Sequence, residues 1–139
     1  MKQPAWLDVR DAIAIHAEQV AEYGGSGGIR DQNLLESAIN RPLHLQADAE
    51  PSLFELAAAY AFVIARNHPF IDGNKRTTLV VSFTFLEING WEINASEEQA
   101  VITFMELAGG DIDEPTLALW FQENSMRVSQ SEKGGEGNK

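Results

Sequence analysis

The sequence predicts an all-α fold: one domain of about six helices, with a buried central helix and a short flap beside it. Three observations predict it. Apolar residues recur at helical spacing in segments punctuated by proline and glycine. Helix starts are written plainly, with capping boxes at Ser52-Leu53-Phe54-Glu55 and Ser96-Glu97-Glu98-Gln99 and a proline start at Asp113-Glu114-Pro115. From Asn74 no breaker appears until Asn89-Gly90, and Thr78 to Leu86 is apolar nearly all round, which places that helix in the core. The same run is too short and too rich in hydroxyls to cross a membrane.

Taken in order, a first helix is expected from about Leu7 to Tyr23, with Leu7, Ile13, Val20 and the intervening alanines as its stripe. His16 lies on it and is read as a packing or exposed residue, not a catalytic one. The cluster Gly24-Gly25-Ser26-Gly27-Gly28 ends the helix and turns the chain. Asp31 caps a short second helix to Ile39, with Leu34, Leu35, Ala38 and Ile39 inward. Arg41 to Pro51 reads as a loop between Pro42 and Pro51, in which Leu43, His44 and Leu45 form a short extended flap or a plain connector.

A third helix runs from the Ser52 box to Asn67, presenting Phe54, Leu56, Ala57, Tyr60, Ala61 and Ile64 for burial. Pro69 stops it and biases His68 away from helical angles. The apolar fourth helix follows, then a brief extended piece at Trp91-Glu92-Ile93-Asn94. A fifth helix ends at Gly109-Gly110, and a sixth ends near Met126, with Leu117, Trp120 and Phe121 inward. Trp120 is read as core. The domain spans 1–127, and a polar, glycine-rich tail over 128–139 is expected to be disordered.

The chain of 139 residues suffices for one core, and 44% hydrophobic residues is ordinary for a soluble globule. It has no cysteine, which excludes disulfides and thiolate metal sites. Met1-Lys2-Gln3-Pro4 has no apolar signal region behind it, so a cytoplasmic protein is expected. A formal charge of −11 argues against direct nucleic-acid binding. It also makes the adjacent cations Lys75 and Arg76 a local exception.

Those cations belong to His68-Pro69-Phe70-Ile71-Asp72-Gly73-Asn74-Lys75-Arg76, read as a loop turning into the apolar helix. The first turn of a helix offers free N–H groups and the positive end of its dipole, a site suited to phosphate. Lys75 and Arg76 are either solvated first-turn residues or, since cations at a helix N-terminus oppose the dipole and need a reason, part of that phosphate site. Asp72 is a carboxylate suited to holding Mg²⁺ against a polyphosphate, or else a cap for the helix. His68 is a candidate base. Gly73 allows a tight turn or a close approach to a ligand. Phe70 is expected to point inward and anchor the loop.

On these residues the chain resembles the Fic-domain family, and within it the death-on-curing (Doc) toxins. The adenylylating Fic pattern H-P-F-x-x-G-N-G-R fails at Lys75, and Leu79 stands where that pattern has a further arginine. The Doc pattern H-x-F-x-D-[AG]-N-K-R fits every position. The similarity runs over roughly residues 5–126 and includes the glycine-rich turn to Asp31.

The resemblance implies a toxin of a toxin–antitoxin pair that transfers the γ-phosphate of ATP, with Mg²⁺, to a hydroxyl of a protein target, by resemblance elongation factor Tu, and so stops translation. His68, Asp72, Lys75 and Arg76 are then catalytic; Gly73, Asn74, Lys75 and Arg76 bind the nucleotide; Asp72 binds the metal. Lys75 is expected to fill the space a phosphate takes in adenylylating relatives and to reverse the nucleotide. Target docking is expected on the flap. The alternatives are nucleotidyl transfer, as in other Fic proteins, and a binding module without catalysis. No stretch fits the inhibitory pattern [ST]-x-x-x-E-[GN] of Fic proteins, so inhibition is expected from a separate antitoxin through a disordered segment that folds on binding.

Overall fold

Helix boundaries follow the punctuation of the sequence closely. The computed structural model describes residues 3–128. The helices are α1 (Val9–Tyr23), α2 (Gln32–Asp48), α3 (Leu53–Asn67), α4 (Asn74–Ile88), α5 (Glu97–Ala108) and α6 (Glu114–Glu123). Two short strands, β1 (Trp91–Ile93) and β2 (Ser125–Arg127), pair antiparallel with Trp91 opposite Arg127. Asp8, Asp31, Ser52, Ser96 and Asp113 each accept a backbone N–H at their helix starts, as short polar side chains do at such ends. The expected all-α fold of six helices stands.

The deepest helix is α3, which packs against α2, α4 and α6. Ala57, Ala58, Ala59 and Ala61 are fully buried, and their small side chains let three neighbours approach one axis. The sequence puts α4 at the centre; instead α4 buries one face, through Val81, Phe85 and Leu86, and leaves Leu79, Val80 and Phe83 half-buried. Two of its buried hydroxyls are satisfied within the helix, while that of Thr77 has no partner among the described residues. Thr78 Oγ1 donates to the Asn74 carbonyl and Ser82 Oγ to the Thr78 carbonyl, each within the helix.

Three expectations are corrected. Arg41 to Asp48 is not a loop: α2 continues through Pro42, and Leu43, His44 and Leu45 are helical, not an extended flap. Leu35, Ala38, Ile39 and Pro42 form a buried stripe at helical spacing, and burying that stripe outweighs the one backbone bond that proline removes. The sixth helix stops at Glu123, because Ser125–Arg127 pairs with β1 instead. The first helix starts at Val9, since Asp8 caps it. Of the expected tail, Val128 is tied to the sheet by its amide, which donates to the Gly90 carbonyl; residues 129–139 lie outside those described.

Candidate active site

The loop between α3 and α4 is held from two sides. Pro69 forbids a helical continuation, and His68 ends α3 at φ 47° and ψ 59°. It is the sole non-glycine residue with positive φ among the described residues. The segment Gly28–Asp31 braces the turn. The Arg30 and Asp31 amides both donate to the Pro69 carbonyl, at 2.7 and 3.1 Å, and the Ile71 amide donates to the Gly28 carbonyl. The Arg30 guanidinium donates to the carbonyls of Asn67 and His68, at 2.6 and 2.7 Å.

Beneath the loop, α1 supplies His16, which is 4% exposed. Its ring stacks on buried Phe70 with centroids 3.9 Å apart and planes 7° from parallel. Its Nε2 lies 2.7 Å from the Asp72 carbonyl oxygen. A carbonyl only accepts, so Nε2 carries the proton. His16 is thus a packing residue, as its sequence position suggests, but one that supports the candidate site. Phe70 is anchored inward, as expected.

Of the expected site residues, His68 ends α3, while Asp72, Gly73, Asn74, Lys75 and Arg76 follow one another into the start of α4. Gly73 stands at its N-terminus with φ 79°, a left-handed value that glycine adopts without strain, and no side chain caps the helix. Asp72 is not the cap. Its Oδ2 accepts the Ser26 amide at 2.9 Å, tying it to the glycine-rich turn. Gly25 makes that contact possible: a Cβ there would lie 3.3 Å from Asp72 Cβ, at φ +109°. The amides of Asn74, Lys75 and Arg76 precede the first intrahelical bond, Thr77 N–H to Gly73 carbonyl.

The Asn74 side chain is engaged by the loop itself. Its side-chain oxygen accepts the Phe70 amide, and its Nδ2 donates to the Phe70 carbonyl. The side chain closes the loop, and the Asn74 backbone amide stays outside the intrahelical bonds of α4. Lys75 is exposed. The Arg76 guanidinium carbon sits 3.8 Å from the ring centroid of Tyr23, the last residue of α1. Face-on stacking leaves the edge N–H groups of the guanidinium available for oxygen ligands. Sequence reasoning missed Arg30 and Tyr23; the proximity of the glycine-rich turn was the one signal pointing to them.

Next to the cations runs a groove of about 250 Å³ lined by Lys75, Arg76, Leu79, Val101, Phe104 and Met105. A larger cavity of about 520 Å³ lies between α2 and α6, where Arg41 and Glu114 pair through two 3.0 Å bonds; it contains no residue of the loop. Among the described residues no group of three or more acidic or histidine side chains is placed to hold a metal ion. Asp72 fits Mg²⁺ only as one ligand shared with a polyphosphate and water, which is how Mg²⁺ is commonly held. No helix among the described residues is long and apolar enough to cross a membrane.

A histidine in a left-handed backbone conformation, a carboxylate, two cations and an uncapped helix start thus lie on one loop and the first turn after it. A model of the Fic/DOC family matches residues 6–86, which holds all of these groups. The chain belongs to that family. It is 38% identical to "Toxin Doc" of Mycolicibacterium smegmatis, over 81% of this chain and 88% of that protein. It is 37% identical to "Protein kinase doc" of Escherichia phage P1, over 81% of this chain and 89% of that protein.

Proposed function

We propose that this protein is the toxin of a toxin–antitoxin pair and a phosphotransferase that moves the γ-phosphate of ATP to a protein hydroxyl. The observation that carries the reading is the uncapped first turn of α4, bearing Lys75 and Arg76 next to Asp72 and His68. The names of both relatives support it. His68 accepts the proton of the target hydroxyl as its oxygen attacks the γ-phosphorus. The bond from that phosphorus to the β–γ bridging oxygen breaks, and ADP leaves with the electron pair. Lys75, Arg76 and the first-turn amides stabilise the charge on the phosphoryl oxygens, which is most of what this chemistry needs. Asp72 helps to hold Mg²⁺, which when bound neutralises phosphate charge. Leu79 lines the groove beside the cations, which is sized for part of a nucleotide and too apolar there for a further phosphate.

The target proposed from the resemblance is elongation factor Tu, and the inhibitor is a cognate antitoxin whose disordered segment folds on this domain. The experiment is incubation with elongation factor Tu and ATP labelled separately at the α and γ positions. Movement of the γ label supports the reading. Movement of the α label makes the protein a nucleotidyl transferase. Movement of neither, with nucleotide still bound, favours a binding module.

A further inference from the structure

We infer that Arg30 is a positioning residue, which acts on the reaction by holding His68 in its left-handed backbone conformation. The inference rests on the proposed role of His68 as proton acceptor. A non-glycine residue at φ 47° persists only where its surroundings over-determine it. Three successive carbonyls, of Asn67, His68 and Pro69, are held by Arg30 and its neighbour. The guanidinium takes the first two, and the amides of Arg30 and Asp31 take the third. Bonds from a guanidinium are charge-assisted, and its planar fork fits two oxygens side by side. The last carbonyls of α3 would otherwise lack partners, as at any helix end. Arg30 therefore fixes the backbone from which the His68 ring projects. The His68 amide also donates to the Ile64 carbonyl, within the end of α3, and the other anchors (His16, Asn74, the Ser26 amide and the Gly28 carbonyl) hold the later residues Phe70, Ile71 and Asp72.

The test uses the full chain and two readouts. The chain has three histidines, so their ring signals can be assigned by NMR. In Arg30→Ala the His68 ring signals should move while those of His16 and His44 stay. Transfer of the γ label should fall on the order of 10²-fold, as for a misplaced catalytic group, with ATP affinity by calorimetry unchanged. In a His68→Ala background, Arg30→Ala should change the residual rate no further. Unmoved His68 signals overturn the inference. So does an equal further loss in the His68→Ala background, or movement of the His16 signals together with those of His68. If Arg30→Ala does not fold, Arg30→Lys serves with the same readouts, since it keeps the charge but removes the fork. A wild-type protein that transfers nothing sinks the proposed function and leaves the NMR result to decide on Arg30.

Discussion

His68 combines a candidate chemical role with an unusual backbone, and the two can be separated. Asparagine tolerates left-handed φ better than most residues but is not a base. His68→Asn should therefore keep or slightly raise the melting temperature while transfer falls by ~10²–10⁴. Loss of stability with transfer intact would reverse the assignment. Asp72 can be treated likewise. Since it does not cap α4, and since Asn still offers an oxygen to the Ser26 amide, Asp72→Asn should leave folding nearly unchanged. Calorimetric titration should show weaker ATP binding with Mg²⁺ present and little change without it. Equal binding in both conditions would remove Asp72 from the metal.

The helices show which features of the chain can be read without coordinates. Boundaries set by neighbours in sequence were legible: the Ser52 and Ser96 boxes, the Pro115 start, the stop before Pro69 and the turn at Gly73 all lie where local chemistry puts them. Pro42 misleads because its usual meaning is local, whereas the burial of its ring on the stripe of α2 is tertiary. Ser125–Arg127 misleads for a similar reason, since its partner strand lies far away in sequence. The loop residues were legible as a set, but their supports were not. Arg30 reaches across 38 residues to His68 and His16 across 56 to Asp72, separations that no periodicity encodes. The alanines of α3 give a prediction of their own. With α2, α4 and α6 packed around it, Ala61→Leu forces extra volume into a filled space and should cost about 1–3 kcal/mol in a denaturant titration. A neutral result would mean that α3 is not the packing centre.

Across the molecule, the site depends on how α1 is seated, because α1 carries both His16 and Tyr23. Tyr60 on α3 seats the start of that region. Its hydroxyl donates to the Leu7 carbonyl and accepts the Leu7 amide, both at 3.1 Å. Burial pushes this phenol up to about 12. A pKa raised above the ordinary 10 means stability that is complete below pH 10 and is lost as pH rises through about 12. Tyr60→Phe should cost about 1–3 kcal/mol at neutral pH, by stranding two backbone groups, and should flatten the alkaline fall in stability. An unchanged fall would assign it to other groups.

The transferred group itself bears most directly on the function proposed for the chain. The formal charge of −11 leaves Lys75 and Arg76 as a local positive feature at the start of α4, and Lys75 stands at the position where the H-P-F-x-x-G-N-G-R pattern has its second glycine. If Lys75 sets the direction of the nucleotide, wild type should add a phosphate to its target, and Lys75→Gly should add some nucleotide as well. Glycine costs up to ~1 kcal/mol inside a helix and less near its first turn, so a melting curve suffices to exclude unfolding. The measurement is the intact mass of the target after incubation with each form and ATP. Added phosphate from wild type, with a mixture from the variant, is the predicted result; added nucleotide from wild type itself would contradict the phosphotransferase reading.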